Sequence, residues 1–408
     1  MLIRLLPLVL GAFAIGTETF MITGVLPTVA ADLQVTPAAA GALVTIFALT
    51  YALGSPLVAI ASASVERKRL LTIAMGAFAL ANLAAAFAPN FGWLLAARVF
   101  LALTAGAFMP AATAFATAMH EPSRRGRAVA FVYAGMTFAM VIGVPGGTLI
   151  AAAASWRATF LAVALLALAA LGGVVGILPR LKGIGTVSLQ ERLAVARRPD
   201  VLKLLALTTL TLCGAFAANT FLGVLLEATL GVAANQLAGL LMLFGLVGFA
   251  GNLVGGYAAD HWSRERSLAA ILAVLVLAFA LLSLGAQWGG AAGAAAILVG
   301  VAIWGLFGWA FPVIQQARLI SLAPALAPVT LSLNTSALYI GAAAGSTLGG
   351  LAIRQWSIGA LGWVAALCEA AALTFLVATE ARARATRARS VESCRSSVER
   401  EAASAVVR

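Results

Sequence analysis

The sequence predicts an all-α polytopic membrane protein, with twelve transmembrane helices in two pseudo-symmetric six-helix bundles. Three observations carry this. The 408 residues are 62% hydrophobic and only 10% charged, with mean hydropathy +1.04. A soluble body of that length needs about a quarter of its residues charged. Apolar runs of about 20 residues, enough to cross about 30 Å of hydrocarbon, recur along the chain. Lysine and arginine collect in every second loop between those runs.

Taken in order, the spans are expected near residues 5–29, 39–61, 70–88, 92–118, 128–153, 158–178, 202–226, 236–258, 267–286, 291–315, 328–353 and 358–379. The least defined boundary lies in the Ala/Gly-rich stretch 285–300. The first run carries Glu18 and is too long for a signal-peptide core, so Val29-Ala30-Ala31 is read as part of an uncleaved span. Bases fill loop 62–69 (Arg67, Lys68, Arg69), loop 119–127 (Arg124, Arg125, Arg127), connection 179–201 and loop 259–266 (Arg264, Arg266). They also fill the tail, whereas the opposite loops hold little beyond Arg157 and Arg354. Both termini are therefore expected in the cytoplasm of a bacterial cell, beneath its inner membrane.

The long basic connection divides the chain. The expected units are an N-terminal bundle 1–178, a linker 179–201, a C-terminal bundle 202–379 and a basic tail 380–408. The tail is expected to be disordered or to lie on the anionic leaflet. The halves echo one another: Ser155-Trp156-Arg157 precedes span six and Arg354-Gln355-Trp356 precedes span twelve. Glycines cluster in span five (Gly143, Gly146, Gly147) and in span eleven (Gly341, Gly345, Gly349, Gly350). The offset of about 200 residues is that of a duplicated six-span unit.

Several segments together resemble the major facilitator superfamily, and within it the twelve-span drug:proton antiporters of the bacterial chloramphenicol-exporter and arabinose-efflux-like branch. They are Gly16-Thr17-Glu18-Thr19-Phe20, Gly24-Val25-Leu26-Pro27, Ala88-Pro89-Asn90-Phe91 leading to Ala97-Arg98, and Arg125-Gly126-Arg127-Ala128. Gly143-Val144-Pro145-Gly146-Gly147, Trp156-Arg157-Ala158-Thr159-Phe160 and Leu333-Asn334-Thr335-Ser336-Ala337 complete the set. The resemblance covers residues 5–380. It implies the major facilitator fold and proton-coupled export by alternating access. The family's loop signature Gly-x-x-x-Asp-x-x-x-Arg stands after span eight as Gly256, Asp260 and Arg264, while after span two Ser64 replaces the acid. The resemblance implies a conformational role for those residues and for Gly143, Pro145 and Gly147.

Glu18 lies near the middle of span one, where a carboxylate is costly unless paired, protonated or hydrated. Arg98 lies in span four and cannot shed its charge. Helix rise puts the two within about 7 Å in depth, so they are expected partners. The resemblance implies a proton-coupling role for both. Glu369, in span twelve, reads as a neutral acid bonded to a neighbour, and Asp32 as an interfacial helix cap. Polar and aromatic residues at membrane depth, Tyr51, Asn219, Trp304, Trp309, Asn334 and Tyr339, are the candidate cavity lining. Such a lining suits an amphiphilic, neutral or cationic small molecule.

The exclusions are as informative. The net charge of +12 sits in loops and tail without interleaved aromatics, which excludes nucleic acid as the partner. The expected partners are substrate, protons and lipid, with the chain expected to act as a monomer. Cys213, Cys368 and Cys394 show no metal or disulfide spacing, so no metal is expected. No Walker motif or nucleophile–base set is present, so neither cofactor nor enzymatic activity is expected. An importer or uniporter of a sugar or nucleoside-like metabolite, and a non-transporting membrane sensor, are the other readings of the same pattern.

Overall fold

In the computed structural model, residues 2–62, 64–121, 124–181, 194–195, 197–322 and 326–382 are described. Most of the expected linker 179–201 and the tail beyond 382 lie outside the described residues. Among the described residues twelve helices are long and apolar enough to span a membrane. Spans one to six are Ile3–Asp32, Pro37–Ala61, Arg67–Ala86, Phe91–Ala118, Arg125–Ala153 and Trp156–Ile177. Spans seven to twelve are Pro199–Asn219, Ala234–His261, Arg264–Trp288, Gly290–Leu322, Val329–Gln355 and Ile358–Arg382. Ile3 and Arg382 share one end of the bundle, called here the near end; the opposite is the far end.

Caps set several boundaries at the far end. Thr36, Asn90 and Ser155 each accept a backbone N–H of the first turn of spans two, four and six, satisfying donors that a helix start leaves open. Between spans nine and ten, Gly289 and Gly290 take φ of 64° and 55°, a left-handed pair that lets the chain reverse within the Ala/Gly-rich stretch.

Span seven departs from the expected 202–226. The helix stops at Asn219 and resumes as a short helix, Leu222–Leu230, across Thr220 and Phe221. The cause is packing. The Phe221 ring fills the space left by Gly41 and Gly349, while Gly223 seats the short helix on the Thr23 carbonyl.

Within the C-terminal half, spans pack on glycines. Along span eleven, Gly341, Gly345 and Gly349 face the carbonyls of Thr209, Cys213 and Ala217 in span seven, residue for residue at four-residue spacing. Any side chain there would meet backbone, so the two helices approach as closely as helices can. In span eight the packing glycines are Gly251 and Gly255, which face Leu306 and Ala310 of span ten. Gly256, expected to belong to the conformational motif, has open space beside it.

Two acidic side chains, Asp32 and Glu369, differ from expectation. Asp32 does not act as a cap; it accepts from Trp156 Nε1 at 3.0 Å and Arg157 Nη1 at 2.5 Å, joining spans one and six. Asp260 is exposed and makes no ion pair among the described residues, because Arg264 Nε turns back to the Ala259 carbonyl at 3.2 Å. The near end of the C-terminal bundle is held instead by Arg318, which binds Glu265 of span nine and Glu380 of span twelve. Glu369 is buried, but neither carboxyl oxygen has a hydrogen-bond partner; its carboxyl lies against Gly214 of span seven.

Candidate functional site

The two halves meet along a seam from mid-depth to the far end. Spans two and eleven make one side of it: Ser336 Oγ donates to the Ala52 carbonyl at 3.1 Å, and Ser346 Oγ donates to the Gly41 carbonyl at 2.9 Å. Thr45 and Thr347 pair at 3.3 Å between them. On the other side, Gly245 of span eight lies on the backbone of Met140 and Val141 in span five. Asn219 Nδ2 donates to Thr23 Oγ1 at 3.4 Å, joining span seven to span one.

Glu18 and Arg98 lie at mid-depth beside this seam. Both are 0% exposed, and Arg98 Nη1 donates to Glu18 Oε1. Arg98 Nε donates to the Leu43 carbonyl at 3.1 Å, and the guanidinium lies over the Phe47 ring, 4.3 Å from its centroid. Span four reaches span two closely enough for this because Gly106 admits Ser55, whose hydroxyl donates to the Gly106 carbonyl at 2.9 Å. An isolated charge at the centre of a bilayer costs about 2.5–3.5 kcal/mol on insertion scales. Pairing offsets that only where the geometry also satisfies the remaining polar atoms. Here it does not do so completely. Glu18 Oε2, Arg98 Nη2 and the neighbouring Thr17 Oγ1 have no partner. The pair keeps spare hydrogen-bonding capacity for a proton, a water or a substrate group.

Span five is shaped around this site. Gly143 packs on Thr17, and Gly147 packs on Met21 and Thr159. Just before Pro145 the helix widens into a π turn, Ala139–Gly143. Proline lacks the N–H for the preceding turn and collides with a carbonyl there, so the wider turn accommodates it.

Of the candidate lining, four residues come to the seam. Tyr51 and Tyr339 stack with centroids 4.0 Å apart and planes at 27°. Trp309 meets the edge of Phe20 at 6.3 Å. Asn219 lines a narrow cavity with Phe20, Thr23, Met140, Val144, Leu241 and Phe244. The other two lie inside the C-terminal bundle. Trp304 sits between Phe244 and Phe279, at 4.8 and 5.1 Å. Asn334 accepts from Thr208 at 2.7 Å, and Gln315 bridges Thr208 and the Leu204 carbonyl. Sequence reasoning missed Thr17, Phe47 and Tyr133. Tyr133 of span five is within electrostatic range of both seam tyrosines yet 46% exposed. Tyr133 lies on the near-end side of the closed seam.

A family model, the Major Facilitator Superfamily, matches residues 8–346. The MFS-type transporter YbcL of Bacillus subtilis (strain 168) is 33% identical over 356 residues, covering 87% of this chain and 90% of that protein. The chloramphenicol resistance protein of Streptomyces lividans is 34% identical over 401 residues, covering 94% and 100%. Among solved structures, a D-xylose-proton symporter superposes with TM-score 0.72 at 16% identity, over 91% of this chain and 96% of that one. A bacterial homolog of the human lysosomal transporter Spinster gives 0.70 at 17%, over 92% and 94%. Those two share the fold. With twelve spans, two six-helix bundles and relatives matched nearly end to end, the chain belongs to the Major Facilitator Superfamily and is a multi-pass membrane transporter.

Proposed function

We propose that this transporter is a proton-coupled antiporter that exports a small amphiphilic molecule, with Glu18 as the proton-binding group. The observation that carries the reading is the Glu18–Arg98 pair, fully buried at mid-depth beside the seam, with one carboxylate oxygen and one guanidinium nitrogen unpartnered. A carboxylate paired with an arginine that never neutralises can alternate between two states: ionised and bound to Arg98, or protonated and free of it. The switch changes which contacts hold span one to span four, so protonation and conformation are linked. Arg98 is the charge partner that stabilises the deprotonated state.

The basic loops support reading the near end as the cytoplasmic side of a bacterial inner membrane. The described state then opens inward, ready to load substrate from the cell. The lining favours an uncharged or weakly charged amphiphile: the central charges neutralise one another, and the remaining residues are aromatic, amide and hydroxyl. Resistance to chloramphenicol in the relative of Streptomyces lividans makes that compound the first probe. The test is growth of an efflux-deficient bacterial host on a panel of antibiotics and metabolites, with the chain and with Glu18→Gln. The expected result is raised tolerance to at least one amphiphilic compound, lost in Glu18→Gln at equal membrane abundance. Equal tolerance with both chains overturns the role of Glu18.

A further inference from the structure

Between the fully buried ion pair and the half-exposed Tyr133 stands a group of aromatic side chains. Phe47 covers the Arg98 guanidinium. Tyr51 lies one helical turn nearer the cytoplasmic end of span two, 6.2 Å from Phe47. Tyr339 of span eleven stacks on Tyr51 and also stands 6.3 Å from Phe47. Just below, the Ser336–Ala52 hydrogen bond clamps the same two helices. On the cleft side Tyr133 is half exposed, whereas behind the rings Glu18 and Arg98 have no exposed surface. Two of the four tyrosines in the chain thus stand between the exposed Tyr133 and the pair.

We propose that the Tyr51–Tyr339 stack is a seal, one ring from each half, that keeps cleft water off the Glu18–Arg98 pair until the halves move. Flat rings in contact exclude water without bringing a charge that would compete with Arg98. Because the rings belong to opposite halves, a rocking motion must shear or part them, and dispersion contact fades within about an ångström of separation. The seal therefore opens with the conformational change rather than with thermal motion of one helix. In an antiport cycle the proton leaves Glu18 for the cytoplasm before the stack closes, so the closed stack would hold the carboxyl on Arg98 while substrate loads. Tyr51 and Tyr339 are positioning residues here: they control access to the carboxyl and do not bind the proton. The inference rests on the proposed coupling role of Glu18 for its purpose, but the seal itself is a statement about access and can be tested separately.

The test is reaction of the purified full-length chain with a water-soluble carbodiimide plus an amine, followed by mass spectrometry of the peptide carrying Glu18. Wild type, Tyr51→Phe and Tyr339→Phe should show low modification, because phenylalanine keeps the flat ring. Tyr51→Ala and Tyr339→Ala should show modification raised several-fold. Tyr51→Leu, which keeps volume without a flat ring, provides the same comparison if an alanine variant fails to elute as a folded species. Glu369, buried away from the stack, should react equally in all variants. Low modification of Glu18 in folded Ala and Leu variants overturns the seal, as does high modification in wild type. If Glu18 is exposed as expected but Glu18→Gln exports normally, the seal stands and the coupling role falls.

Discussion

At the scale of single residues, the account depends on a buried charge pair whose members cannot be removed independently. Arg98→Ala leaves a carboxylate in the bundle with no counter-charge, and breaking one side of such a pair costs about 3–5 kcal/mol. Arg98→Ala should therefore melt well below wild type in detergent at neutral pH, and adding Glu18→Gln should restore much of the loss. Equal melting of the single and double variants contradicts the pairing. Depth made this pair legible: helix rise converts position along a span into height, and the two residues fall within about 7 Å of each other in height. Azimuth was not legible. In lipid every face of a helix is apolar, so no polar stripe shows which face turns inward. For that reason Trp304 and Asn334 look the same in sequence as Tyr51 and Tyr339, yet they lie within one bundle and not at the seam. The contact between Tyr51 and Tyr339 joins residues on different halves, and no local pattern encodes it.

At the scale of helices, glycines decide where spans touch. Gly345 faces the Cys213 carbonyl with no room for a Cβ, while Gly256 faces open space. Gly345→Ala should destabilise the protein by about 1–3 kcal/mol, the usual cost of overpacking. Gly256→Ala should be neutral or slightly stabilising, since alanine loses less entropy in a helix. Thermal unfolding of the two variants in one detergent checks the contrast. At the near end, Arg318 holds two carboxylates while Asp260 makes no ion pair among the described residues. Hydrogen bonds to charged groups are worth about 1.5–3 kcal/mol, so Arg318→Ala should cost stability on that order. Asp260→Asn should stay within about 0.5 kcal/mol, as surface changes do. The reverse order would restore the motif reading of Asp260 and Arg264. Span limits were legible because hydropathy and basic loops both mark them. The break at Thr220–Phe221 was not, because the apolar run continues through it and the cause is the distant pair Gly41 and Gly349.

For the whole molecule, one end of the seam is closed and alternation requires that it open. Thr45 and Thr347 stand 3.3 Å apart across the seam, on opposite halves. With both changed to cysteine and cross-linked by oxidation, transport should stop, and a reducing agent should restore it; cross-linked protein that still transports contradicts rocking about this seam. Duplication of the six-span unit was visible in sequence from repeated loop and glycine patterns. The state of the seam was not, since one sequence must serve both states. The coupling claim is tested most directly in proteoliposomes, by comparing two modes of transport of the compound that passes the growth screen. One is accumulation driven by an imposed proton gradient, and the other is exchange of labelled for unlabelled substrate with no gradient. Wild type should perform both. Glu18→Gln should lose gradient-driven accumulation and keep exchange, because the amide preserves shape while removing the titrating proton. Accumulation by Glu18→Gln at the wild-type rate, with protons as the only driving ion, would contradict Glu18 as the coupling group.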